Sequence, residues 1–145
     1  MPREVYTYTY KDNDYNYLPL APFGSDNKIA ITKIYSNVPF EIFNKNNKPV
    51  GNVIFSGQTR DISDKKLLNP NMNIQSTVIY FNENNIENIS YVRFDTVIFV
   101  NNKQINIPYT QNATATGGRF AGKNVTITEE PVDKSENIYR FIINY

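Results

Sequence analysis

Side chains alternate with period two along most of this chain. The plainest run is Val5-Tyr6-Thr7-Tyr8-Thr9-Tyr10, tyrosine against β-branched residues. Alternation of this kind places successive side chains on opposite faces of a strand. β-Branched and aromatic residues also suit a pleated surface. The same texture recurs at Ile29 to Tyr35, Val38 to Phe43, Val50 to Gln58, Ile74 to Phe81, Ile89 to Val100, Arg119 to Thr128 and Asn137 to Tyr145. Between these runs lie turn-forming stretches. They are 11–28 with Pro19, Pro22 and Gly24, then Asn44-Lys45-Asn46-Asn47-Lys48, then Asn82-Glu83-Asn84-Asn85. Ser63 to Asn69, ahead of Pro70, has room for one helical turn. Eight or nine strands with essentially no helix must close or stack to hide their edges. The expectation is all-β: a single antiparallel β-barrel of about eight strands over 1–145, with 1–28 an N-terminal strand and loop. A β-sandwich is the alternative.

One hairpin fixes a register. Asn101-Asn102 suits a two-residue loop, since Asn tolerates the positive φ of a type I′ turn. Ile98 then faces Ile105, Thr96 faces Ile107 and Phe94 faces Tyr109. One face carries Val92, Phe94, Thr96, Ile98, Ile105, Ile107 and Tyr109. The other carries Tyr91, Arg93, Asp95, Val97, Phe99, Gln104 and Asn106. A one-residue slip exchanges the two faces. The first, more apolar face is the better core candidate.

The glycine-rich run Gly117-Gly118-Arg119-Phe120-Ala121-Gly122-Lys123-Asn124 invites two readings. As G-x-x-x-x-G-K it approaches a phosphate-binding loop, but Asn124 stands where Ser or Thr holds magnesium. Such a loop also follows an apolar strand and opens a helix. Here Gln111 to Thr116 is small and polar, and Val125-Thr126-Ile127-Thr128 is poor helix material. A tight turn in a β protein fits better: paired glycines suit positive φ, and Phe120 can plug a barrel end.

Three places together resemble the allene oxide cyclase and dirigent families. They are Pro49-Val50-Gly51-Asn52-Val53-Ile54-Phe55-Ser56-Gly57, the turn Gly117-Gly118-Arg119-Phe120-Ala121-Gly122, and Ile138-Tyr139-Arg140-Phe141-Ile142-Ile143. They frame about residues 29–145, and the glycine turn is contracted relative to the family pattern. The resemblance implies an eight-stranded antiparallel barrel, usually a trimer and sometimes a dimer. It implies an apolar ligand held in the barrel and directed mainly by shape. The families' catalytic residues find no match here, so no catalytic residue is carried over.

Composition narrows the chemistry. The chain has no cysteine and no histidine. That excludes disulfides and thiol catalysis, and removes the commonest general base and metal ligand. Fifteen basic and 14 acidic residues balance to a net charge of +1. Neither half forms a basic patch, so no nucleic-acid partner is expected. No apolar run reaches the roughly 18 residues of a membrane helix. The N-terminus lacks a signal-peptide core, which favours a cytoplasmic or virion-associated protein. Twenty-two asparagines make the sequons at Asn88, Asn112 and Asn124 weak signals. No metal and no cofactor is expected.

The candidate ligand-binding residues are Tyr91, Arg93 and Asp95, which share one strand face. Inside a barrel, Arg93 would polarise a ligand oxygen and Asp95 or Tyr91 would move a proton. On the outer face, Arg93 and Asp95 are a weak surface pair. Glu129-Glu130 and Asp133-Glu136 around Pro131 read as a solvated acidic loop, lacking the spacing of a calcium loop. The stripe Tyr6, Tyr8, Tyr10, with Tyr15 and Tyr17, reads first as a subunit interface and next as core. The functional expectation is an oligomeric barrel, trimer before dimer, holding a small apolar or aromatic ligand. The alternatives are a structural or assembly protein and, third, a carbohydrate-binding sandwich.

Overall fold

The computed structural model describes residues 2–11, 14–20, 23–25, 28–64, 71–82, 87–96, 98–100, 103–105 and 109–145. For 23–25, 28–31, 60–64, 71–72, 87–88, 94–96, 98–100, 103–105 and 109 it describes the backbone alone. The strands are β1 (Arg3–Thr9), β2 (Leu18–Pro19), β3 (Phe23–Ser25), β4 (Lys28–Phe43), β5 (Pro49–Asp64), β6 (Asn71–Phe81), β7 (Glu87–Thr96), β8 (Ile98–Val100), β9 (Lys103–Ile105), β10 (Tyr109–Ala115), β11 (Val125–Asp133) and β12 (Ile138–Asn144).

Eight of these make a closed antiparallel barrel in the order β1-β12-β11-β10-β7-β6-β5-β4. β1 closes it by pairing with β12 from Arg3↔Asn144 to Thr9↔Ile138 and with β4 at Thr7↔Phe43. The expected barrel is the fold, and the sandwich alternative falls. β2 and β3 continue along the β4 edge that β1 leaves, at Leu18↔Ile34 and Phe23↔Ala30. The 11–28 stretch, expected as loop, therefore carries two short strands.

The two strands expected at 29–35 and 38–43 are one strand, β4. Its register with β5 shifts between Tyr35 and Val38, where Asn37 has φ 51°. The Asn37 amide donates to Ser56 Oγ at 2.9 Å. The irregularity switches the alternation, so Tyr35 on one side and Val38, Phe40 and Ile42 on the other are all buried. Ser63 and Asp64, expected in a helical turn, end β5; 65–69 lie outside the described residues.

The hairpin register holds at its tip, where Ile98 meets Ile105. Nearer the barrel it slips. Continued inward, that register would pair Ser90 with Ala113, but Ser90 meets Thr114 and Ala115 meets Ile89. The return arm thus holds one extra residue. Tyr109 pairs with Glu129 rather than Phe94.

The core is the barrel lumen. Phe55, Phe141, Ile42, Ile79, Ile89, Ile127, Ile143 and Val53 are almost wholly buried there. Tyr6 and Tyr8 join them, with Tyr8 stacked 5.0 Å from Phe141 and 5.8 Å from Phe40. The tyrosine stripe of β1 is therefore core, not an interface. It lines the inside because β1 and β12 share a register, Tyr6 opposite Phe141 and Tyr8 opposite Tyr139.

One end is sealed by the glycine turn. The strand expected from Arg119 starts only at Val125, since Gly118–Phe120 forms a single 3-10 turn. Gly118 at φ 63° and Gly122 at φ 73° explain why: both are left-handed. The turn drives Phe120, fully buried, against Phe81 and Tyr145 at 5.6 and 5.0 Å. Arg119 locks it, its guanidinium 4.8 and 4.5 Å from the Phe81 and Phe120 rings. The same group donates to Glu4 at 2.9 Å and to Tyr6 Oη at 2.6 Å. Gly51 and Gly57 of β5 meet another need: an added Cβ would lie 1.9 Å from Tyr80 O or 2.1 Å from Ile74 O. Only glycine lets β5 and β6 approach so closely.

Two substitutions test this seal by thermal unfolding. Phe120→Ala should cost about 3–5 kcal/mol through loss of the plug. Gly118→Val should cost at least about 1–2 kcal/mol, because a β-branched side chain resists the left-handed region.

Candidate functional site

Away from the plug, the lumen changes character. β7 and β11 carry inward residues at every second position: Ile89, Tyr91 and Arg93, then Val125, Ile127 and Glu129. The apolar members lie nearer the glycine turn and the polar ones at the other end. There Tyr91 donates to Glu129 Oε1 and Arg93 Nη1 donates to Glu129 Oε2. The carboxylate is thus held by two side chains of β7 that reach past β10 on the inner face. The Arg93 side chain is 22% exposed against 5% for Glu129, so solvent reaches the guanidinium end of the pair.

The hairpin face expected as core points outward at Val92, its one residue with a described side chain. Val92 is 53% exposed while Tyr91 is buried. The cause is the partner strand: Tyr91 pairs with Thr77 and Arg93 with Gln75, both buried positions of β6. Register against β6 outweighs the apolar content of the Val92 face. Of the three residues singled out by sequence, Tyr91 and Arg93 come together in the lumen. Asp95 sits two residues further along β7, opposite Asn73, and is described by its backbone alone.

Glu129, the residue that joins them, reads from sequence as part of a solvated loop. It lies instead on β11, 6% exposed. The signal for it was the alternation Val125, Ile127, Glu129. Pro131 and the acidic neighbours obscured that signal. Pro131 pairs with Tyr139 of β12, just before the register shift between Pro131 and Asp133, an irregularity of the kind that admits proline in a strand. Glu130 points the other way and pairs with Arg140. Asp133 caps the turn that follows, accepting from the Ser135 and Glu136 amides at 3.0 and 3.3 Å.

A second polar group sits on β4 and β6. The Tyr35 hydroxyl donates to Gln75 Oε1 at 2.9 Å, with Asn73 Oδ1 at 3.0 Å, and Gln75 Nε2 donates to Thr77 Oγ1 at 3.3 Å. On β10, Gln111 shares the inward alternation of Ala113 and Ala115. Its Nε2 is buried without a hydrogen-bond partner among the described residues.

The electrostatics follow from burial. Desolvation pushes the Tyr91 phenol well above its ordinary value, and the charge of Glu129 pushes it further. Burial also raises Tyr8, assisted by Glu129 and opposed by Arg93. Tyr15 is raised by burial and then by Tyr10, Tyr35, Tyr17 and Glu129. All three phenols stay protonated at neutral pH, and Tyr91 donates to Glu129. Among the described residues, no group of three or more His, Cys, Asp or Glu side chains is placed to hold a metal ion, and no helix is long and apolar enough to cross a membrane.

No protein-family model, curated protein or solved structure matches this chain.

Two measurements check the site. Arg93→Leu should destabilise the fold by about 1–3 kcal/mol, since Glu129 then keeps a buried charge without its cation. The double replacement Arg93→Leu with Glu129→Leu should recover much of that loss in denaturant unfolding. The phenol shifts give a sign with pH. A group raised in the folded state contributes stability that is full below its unfolded value, 10.0 for tyrosine, and lost as pH rises through the folded value. Tyrosinate absorbance should therefore show a subset of the 11 tyrosines ionising only above the ordinary range, together with alkaline loss of structure.

Proposed function

We propose that this barrel is a small-ligand-binding protein whose site is the polar end of the lumen. The ligand is an aromatic or apolar molecule bearing an oxygen function. Its ring lies against Tyr8, Tyr35 and Tyr139, and its oxygen meets Arg93. The observation that carries this reading is the Tyr91–Glu129–Arg93 group inside the barrel. A lumen that only needs filling is cheaper to fill with apolar side chains, and the plug end is filled in that way. Replacing a buried ion pair by hydrophobic residues is often neutral or stabilising. Charges kept at one end of a lumen are a functional-site signal. The buried Gln111 donor supports the same reading, since such a group is ordinarily met by water or a ligand atom. The likeness of the glycine turn to allene oxide cyclase and dirigent barrels supports it further, and with it a trimeric assembly. No side chain is assigned a catalytic role.

The second reading is a structural or assembly protein built on an oligomeric barrel. One observation favours it: the middle of the lumen is packed solid, Tyr8 touching Phe40, Phe55, Tyr139 and Phe141 at 5.0–5.8 Å.

Titration with an anilinonaphthalene sulfonate, an aromatic anion, separates the two. A ligand site predicts one saturable site per chain. It predicts binding weakened about tenfold or more by Arg93→Leu with Glu129→Leu, in line with loss of one charge-assisted hydrogen bond. Arg119→Leu, at the sealed end, should leave the affinity unchanged. No saturable binding, or equal binding by all three proteins, favours the structural reading.

A further inference from the structure

The closure of the barrel is uneven. β1 pairs with β12 over its whole length but with β4 at the single position Thr7↔Phe43. Beyond Thr9 the chain leaves the wall, and ladder pairing to that edge of β4 resumes only at Leu18↔Ile34. A seam therefore lies between β1 and β4, at the polar end. Among the described residues Tyr15 fills it, with the more exposed Tyr17 stacked 5.4 Å from Tyr15 and edge-on to Tyr35 at 5.8 Å. The Tyr15 ring lies 5.4 Å from Tyr10, which follows β1, and 5.1 and 5.9 Å from Tyr35 and Phe40 of β4.

Tyr15 belongs to Asp14–Leu20, a segment held lightly. Of its seven residues Tyr15 alone is not exposed. Among the described residues, its backbone ties to the barrel are the two β2 positions and Leu20 N to Thr32 O at 2.9 Å. The Asn16 side chain adds a long bond, accepting from the Ser36 amide at 3.4 Å. Leu18 is 58% exposed and Leu20 46%, so the segment has little apolar surface to lose on detaching. Segments with few buried contacts open locally, well below the cost of global unfolding. β1 itself is held by β12 along its whole length without this segment. Behind the seam stand Tyr8, Tyr91, Arg93 and Glu129.

We propose that residues 14–20 are a strap that gates the polar end. It lifts from the β4 edge and withdraws Tyr15 from the seam, opening a side entrance to the lumen. This inference rests on the ligand-site reading, but its hydrogen-exchange test does not. In native-state hydrogen exchange, the Leu20 amide should exchange through a local opening, at least about a hundredfold faster than the β12 amides. Tyr15→Ser should speed it further while leaving β12 protection in place. A Leu20 amide that exchanges only as fast as β12 overturns the strap. Binding kinetics supply the second readout. With the same sulfonate probe, the observed rate should plateau at the opening rate as probe concentration rises, and Tyr15→Ser should lift that plateau. A rate that rises linearly and is unchanged by Tyr15→Ser overturns the gate while leaving the site. Absence of probe binding overturns the site reading, and hydrogen exchange then decides the strap alone.

Discussion

Closure of the sheet through β1 is the constraint on which the rest depends. An eight-stranded barrel has an interior just wide enough for side chains to fill. Once β1 bonds to both β12 and β4, every inward position must be accommodated in that narrow space. The glycines of β5 allow the strands to coil closely enough. The bulge after Tyr35 keeps β4 facing inward along its length. Phe120 and Arg119 then seal one end, with the Arg119–Glu4 pair at its rim, and the more deeply buried carboxylate, Glu129, lies at the other.

Two halves of one interior follow from this. Near the glycine turn the inward residues are apolar, and burial of their area is the main stabilising term. At the other end the inward residues are Tyr91, Arg93, Glu129, Gln75 and Thr77. There Tyr91 and Arg93 hold Glu129 while Tyr35 and Thr77 hold Gln75, so stability rests more on paired polar groups than on area. Position along the strand decides which regime a side chain joins. Ile127 and Glu129 are neighbours on one face of β11, yet one belongs to each half.

Much of the fold was legible because it depends on local pattern. Period two along β1, β6 and β12 gave their strands, and the left-handed glycines at 118 and 122 gave the turn. The hairpin tip was readable from Asn101-Asn102, since its pairing is local. Its inward face was not, because one extra residue in the return arm reverses the parity, and pairing with β6 sets it. The tyrosines of β1 looked like an interface because tyrosine suits both settings; only the pairing with β12 puts them inside. Glu129 was hidden by Pro131, which signals a loop when strand neighbours are unknown. At the site, sequence supplied Tyr91 and Arg93 but not the carboxylate that joins them, because that contact spans 36 residues and needs the closed barrel.

Whether the polar end holds a ligand is read by native mass spectrometry of the protein as purified. Conditions gentle enough to retain small molecules would reveal both the assembly and its cargo. A ligand site there predicts a small oligomer carrying a co-purified aromatic or apolar compound, lost when Arg93 and Glu129 are both replaced by leucine. An empty protein, or a compound retained unchanged by that double variant, would contradict it.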